Sequence, residues 1–499
     1  MRKDFLLLAF FAAACVSIAE RRLDGDVAPS PAARSGEPRP APPKETSVSP
    51  EIIAQLARGG ATVSLAQLID FALRTSPATR ATWSDARAAA AVVGSKRSTY
   101  FPQIDASATA GYSHQFIGLT PVEYKTWGAS AQLSWLLLDL GTRSADVDEA
   151  RALLASANLS HDTAVADLIL GVEQAYTQYQ SARAQLVAQK ASVSEAQTAY
   201  DAAEERRRSG VATIADVLQA KTAFSQAQFQ LQSVEGQVNI LRGAVATAVG
   251  VPATVPIEAE DLPSVTVDPQ LARIEELIAQ AERERPELAR ARAQALAAQS
   301  HAASVRWRGW PQLVLNGTAG LQWFNTASSG TIGGWDGYRP TIYGASLLLR
   351  FPLFTGFKDS FDAAQAEEQA RAALARAESV EQQVVLQVWS SYQAVRTAAQ
   401  RVRTAHDLLA SAEQSEQVAA GRYKEGVGSI LDVLTAQSAL ALARAQEVQA
   451  RADWILSVAS LAHDTGALGP PRASAREGGG PAGGQGSPAG APQVPLRDR

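Results

Sequence analysis

Two aspartates occupy the same place in a phrase that the chain uses twice, each with a hydroxyl three residues before it. Asp216 follows Thr213, and Asp432 follows Ser429. Two chemistries suit the pattern. A hydroxyl just before a helix with a carboxylate three residues on forms a reciprocal cap. A carboxylate repeated around an axis by several copies of one chain favours cations and opposes anions. Basic residues precede both aspartates: Arg206, Arg207 and Arg208 in the first phrase, Arg422 and Lys424 around Tyr423 in the second. At a helix C-terminus such cations meet the negative end of the dipole. Gly210-Val211 and Gly426-Val427 lie between the basic run and the cap, where glycine takes the left-handed turn that ends a helix. No catalytic or metal grouping accompanies them. His114, His161, His301, His406 and His463 are scattered without a ligand spacing, and Cys15 is the single cysteine. Met1 is the only methionine, which excludes a methionine relay for soft metal ions. No enzyme activity and no cofactor are expected.

The phrase belongs to a larger repeat. Arg206, Gly210, Val211, Ile214, Asp216, Val217, Leu218, Ala220 and Ala223 return at a constant offset of 216 as Arg422, Gly426, Val427, Ile430, Asp432, Val433, Leu434, Ala436 and Ala439. Upstream, Pro77 and Pro102 return as Pro286 and Pro311. Two collinear copies, residues 62–250 and 268–466, therefore fill most of the chain around an inter-repeat linker at 251–267. Ser64 to Gln67 opens the first copy as a capping box, and Asp268-Pro269 opens the second by a related device.

After Pro102 the periodicity alternates. Ile104, Ala106, Ala108, Ala110 and Tyr112 are apolar against polar neighbours, and so are Trp127, Ala129, Ala131, Leu133 and Trp135. Copy two repeats this with Leu313, Leu315, Ala319, Leu321 and Trp323, then with Tyr343, Ala345, Leu347 and Leu349. Four strands result, within 102–139 and 311–355, joined by loops at 117–123 and 327–337. Their length suits a tilted crossing of a bilayer, and six of nine tryptophans lie in or beside them, as an aromatic girdle requires. Prolines are absent from 122–251 and 353–469. Long helices are expected at 141–208 and 357–424, each on the order of 100 Å. Partners return antiparallel over 213–249 and 429–465.

Four strands leave two open edges, which hydrocarbon does not tolerate. Closure must come from further copies, whose number the physics leaves open. The doubled strand–strand–helix–helix order, the phrases 206–223 and 422–439, and the strand ends Trp135 to Asp139 and Phe351 to Thr355 resemble the TolC family of outer-membrane channels. That resemblance implies an α+β membrane protein: a homotrimer with a 12-stranded transmembrane β-barrel, four strands per chain, continuous with a periplasmic α-helical barrel. It implies an exit duct for efflux or secretion, working with a periplasmic adaptor and an inner-membrane pump or ABC transporter. It also implies that Asp432 rings a periplasmic constriction, with Tyr423 hydrogen-bonded towards Asp216 to hold it shut. The tips at Gly210, Val211, Gly426 and Val427 would dock the adaptor. Gly428 and Thr435 stand where the family has an arginine and a carboxylate, so a looser latch and a thinner ring are expected. A structural coiled-coil protein of the envelope would explain the helices but not the recurring strands.

The ends read differently. Arg2 and Lys3 before an apolar run ending at Ala14 form an export signal within 1–19. Ala12 to Cys15 resembles a lipoprotein box, with cleavage before Cys15 and lipidation of its thiol; ordinary cleavage after Ala14 or Ala19 is the other reading. Residues 20–61 are a Pro-rich linker and 467–499 a Gly-rich tail. With 46 basic and 50 acidic residues, the charge makes no case for nucleic acid.

Overall fold

The computed structural model describes residues 27–34, 63–117, 120–258, 260, 273–328, 336–338 and 341–468. Cys15, the Asp268-Pro269 opening and the tail beyond 468 lie outside them. Two short helices come first, α1 (Leu65–Thr75) and α2 (Pro77–Ser98), followed by strands β1 (Gln103–Ile117) and β2 (Thr120–Leu138). Helices α3 (Thr142–Arg208) and α4 (Ile214–Ala248) then form a hairpin. The order recurs with α5 (Ile274–Glu284), α6 (Pro286–Trp307), β3 (Gln312–Ser328), β4 (Asp336–Tyr338), β5 (Thr341–Arg350), α7 (Lys358–Lys424) and α8 (Ile430–Asp464). Ser64 caps α1 as its sequence requires, with Ser64 N–H donating to Gln67 at 3.1 Å and Gln67 N–H donating to Ser64 Oγ at 3.4 Å.

The strands make one antiparallel sheet in which β2 lies between β1 and β3, and β3 carries both β4 and β5 on its far side. Register decides what its faces are, because residues directly opposed share a face. Ala106, Ala131 and Ala319 form one cross-strand row with Tyr343, and Leu315 links Trp135 to Leu347. Between those rows, Gln132 joins Asp105 to Thr318, and Asn316 joins Ser134 to Ser346. All four alternating patterns thus put their apolar residues on one face and their polar residues on the other. The first loop is shorter than the sequence suggests, since β1 runs to Ile117 and β2 starts at Thr120. Pro121 is accommodated because the β2–β3 register begins at Val122, leaving that position a neighbour on one side only. The second loop contains β4, which continues the line of β5 along β3.

Both long helices have 67 residues, about 100 Å each. Neither can bury itself: each is covered by the shorter helices of its own repeat placed end to end, and α3 packs also on α6 and α8 of the other repeat. Helix α3 packs on α2 near the sheet and on α4 beyond it; α7 packs on α6 and then on α8. Alanine dominates the buried positions, which lets the helices approach closely. At the joint between α1 and α4, Thr75 Oγ1 donates to Val249 O at 2.6 Å above an apolar cluster of Leu68, Phe71, Val172, Tyr176, Val245 and Ile257. Residues 27–34, within the stretch read as a linker, lie against α2 and α3. Trp83 Nε1 donates to Ala28 O at 2.9 Å, and His161 Nε2 is 2.8 Å from Ala33 O. Burial lowers the pKa of His161, so it is the neutral ring that donates here.

At the strand-to-helix joints, Leu140 and Phe357 both take positive φ, 56° and 65°, each beside a glycine. In the first joint the buried Arg143 ties the elements together. It donates to the carbonyls of Thr99, Leu136 and Leu137, pairs with Asp139 at 3.2 Å, and stacks on Tyr100. In the second, Phe351, Phe354, Phe357 and Phe361 are all exposed, with Phe354 and Phe357 edge to face at 5.5 Å between centroids.

Candidate functional site: the hairpin tips

The two helical hairpins end in closely similar turns. Gly210 and Gly426 have φ of +79° and +82°, a conformation that costs an L side chain and not glycine. Around them Val211 N–H donates to Arg206 O and Gly210 N–H to Arg207 O, both at 3.0 Å. Val427 to Arg422 and Gly426 to Tyr423 repeat the pair at the same distance. This double bond is the Schellman ending of a helix. A Cβ at Gly210 would meet nothing within 4 Å, so only its φ demands glycine. Val211 and Val427 project into solvent, 73% and 70% exposed, and Ile214, Leu218 and Leu431 are exposed beside them. The tips therefore carry an apolar rim.

Both aspartates cap the helices that follow. Asp216 Oδ2 accepts from Thr213 N–H and from Thr213 Oγ1, each at 2.8 Å, and Asp216 N–H donates back at 3.2 Å. Asp432 Oδ2 accepts from Ser429 N–H at 3.1 Å, and Asp432 N–H donates to Ser429 Oγ at 3.2 Å. The Ser429 hydrogen bonds hold the Asp432 carboxyl below its usual range, with help from the charge of Arg422. It stays ionised and exposed.

Tyr423 differs from the expectation. Its ring is buried in an apolar cluster with Ala199, Ala203, Val217, Ile430 and Val433, which joins the two hairpins. Its hydroxyl is buried without a hydrogen-bond partner, so the bond towards Asp216 that the family resemblance implies is not made in this structure. A cation contacts the ring instead, for Arg206 lies over it with the guanidinium carbon 4.4 Å from the centroid. The sequence marked Arg206 only as a dipole partner, although its return as Arg422 signalled a constrained position.

Higher up, Arg444 forks onto Glu195 at 2.9 and 3.1 Å and links α8 to α3. At the far end of α8, His463 lies between Asp167, at 2.9 Å, and Asp464, at 3.2 Å. Those hydrogen bonds raise its pKa to about 9. No grouping of three or more metal-ligating side chains occurs among the described residues.

Comparison with known proteins agrees with this geometry. The family model described as outer membrane efflux protein matches twice, at residues 68–251 and 277–467. Protein CyaE of Bordetella pertussis is 27% identical over 412 residues, which span 82% of this chain and 85% of that protein. The fold resembles the outer membrane protein VceC of Vibrio cholerae, with a TM-score of 0.70 at 21% identity over 81% of this chain and 96% of that one. It likewise resembles the CmeC outer membrane channel of Campylobacter jejuni, with a TM-score of 0.72 at 15% identity over 81% and 85%.

Proposed function

The chain belongs to the outer membrane efflux protein family, and from that premise we propose that it is the exit duct of a tripartite efflux pump or a type I secretion system. It passes small molecules or proteins from the periplasm, or from an inner-membrane pump or ABC transporter, to the exterior. The observation that carries this reading is the sheet. Four strands put their apolar rows on one face, their outer edges are open, and they stand on helices far longer than a compact core needs. Three copies close the edges into a 12-stranded barrel, and the hairpins of three copies make the periplasmic tunnel. The N-terminal segment within 1–19 directs export; cleavage before Cys15 with a lipid on its thiol, or ordinary cleavage after Ala14 or Ala19, are the two readings that the intact mass of the exported chain distinguishes.

The tunnel narrows at the tips, where Asp432 from each copy forms a ring and Asp216 and Tyr423 hold the turns in place. The exposed rim at Gly210-Val211 and Gly426-Val427 takes the hairpins of a periplasmic adaptor end-on. Purified protein in a planar bilayer should conduct ions. A stalk or spacer, the competing reading, would give none. Replacing Gly210 and Gly426 by bulky residues should abolish transport in cells while export and assembly persist; normal transport by that double variant would remove docking from this surface.

A further inference from the structure

Arg206 and Arg422 are equivalent in the repeat, yet among the described residues it is Arg206 that lies over a ring of the other hairpin. It leaves the last turn of α3 and lies on the face of Tyr423 in α7, with Nη2 3.4 Å from where a Cβ on Gly426 would stand. Ion pairs near this tip join Arg208 to Glu204 and Glu205, and none among the described residues involves Arg206. Its cation is spent on a ring.

The other polar groups at the tip do not tie the hairpins together. Asp216 and Asp432 are occupied by their own caps, and the Tyr423 hydroxyl has no partner. Gly428 offers no side chain and little room for one, because a Cβ there would come within 3.1 Å of Arg422 Cβ and Tyr423 N. Below the Arg444–Glu195 pair, where Gln437 Nε2 also donates to Glu195 O at 3.4 Å, the hairpins are joined by the apolar cluster around Tyr423 and by Arg206 over its ring face.

We propose that Arg206 is the clamp of the tip: its guanidinium on the Tyr423 ring holds the second hairpin against the first and so positions the constriction. The clamp deepens the constriction reading above and rests on it only for its effect on ion flow. Exposed cation–π contacts shift an equilibrium about two- to fivefold, and that is the scale of effect expected.

Hydrogen exchange on the full-length protein in detergent tests the clamp without reference to conduction. Arg206→Ala and Tyr423→Leu should each speed exchange of the turn amides at 206–211 and 422–427 by about two- to fivefold. The double variant should go no further than either single one, since both remove the same contact. Arg206→Lys should recover part of the protection, and Tyr423→Phe, which keeps the ring, all of it. Unchanged exchange in Arg206→Ala overturns the proposal, and so does faster exchange in Tyr423→Phe, which would give the role to the hydroxyl. Bilayer conductance of the same variants separates the two readings. Faster exchange with a higher resting conductance supports both. Faster exchange with unchanged conductance keeps the clamp and removes the gate from this position.

Discussion

At the scale of single residues, Asp432 has two duties that one substitution can separate. It accepts the Ser429 N–H in the cap, and its charge faces solvent at the turn. Asp432→Asn keeps an acceptor for the cap and removes the charge. Thermal stability should therefore change little, while the preference for cations over anions falls, measured as a reversal potential in bilayers at low salt, where screening is least. Unchanged selectivity would leave the residue with its capping role alone. The pH dependence has a definite sign. The folded carboxyl has a lowered pKa, so the charge persists below the ordinary carboxylate range and is lost only as pH falls through the folded value. Gly428 bears on the same ring. The family resemblance implies that an absent arginine there loosens the latch, and a Cβ at this turn would stand 3.1 Å from Arg422 Cβ and Tyr423 N, so a side chain would require its neighbours to give by a few tenths of an ångström.

At the scale of elements, what was legible in the sequence was what neighbouring residues decide among themselves. Period-two patterns located the strands, and Ser64, Thr213 and Ser429 located helix starts, because a cap or a pleat needs only a few adjacent residues. Contacts between distant segments were illegible for the opposite reason. Asp167 and His463 are 296 residues apart, and Arg206 meets a ring more than two hundred positions away. Nothing local marks either pair. The folding of residues 27–34 onto α2 was hidden likewise, since a Pro-rich composition reads as a spacer until Trp83 and His161 supply partners. The joint at His463 makes a prediction of its own. Its pKa is about 9 when folded against an ordinary value of 6.5, so the proton is bound more tightly in the folded chain. The stabilisation is complete below pH 6.5 and is lost as pH rises through 9. His463→Gln should lower the melting temperature at neutral pH and flatten its dependence between those limits. An equally steep dependence in the variant would place the titrating group elsewhere.

At the scale of the whole molecule, the unpaired edges of β1 and β5 are the feature that one chain cannot resolve. An apolar face with exposed Ile104, Tyr343, Leu347 and Leu349 needs lipid or another chain, and backbone edges in hydrocarbon need partners outright. A single copy in a bilayer would therefore leave a strand's worth of N–H and C=O groups unsatisfied on each side, at several kcal/mol for each group. Edge pairing of β5 with β1 of the next copy removes both problems at once, and repeated around an axis it closes a barrel. Closure fixes that some number of copies is required, and the number proposed above is three. In the proposed trimer the same closure would bring three Asp432 carboxylates around one axis, so the selectivity predicted for that residue depends on it. Mass measurement in mild detergent should find three chains per particle with the strand signal intact. Breaking the edge, by proline at a position of β5 whose N–H faces away from β3, should release monomers that keep their helical signal but lose conductance. Monomers that retain the full strand signal and still conduct would mean that the sheet closes on itself, and the trimer would have to be given up.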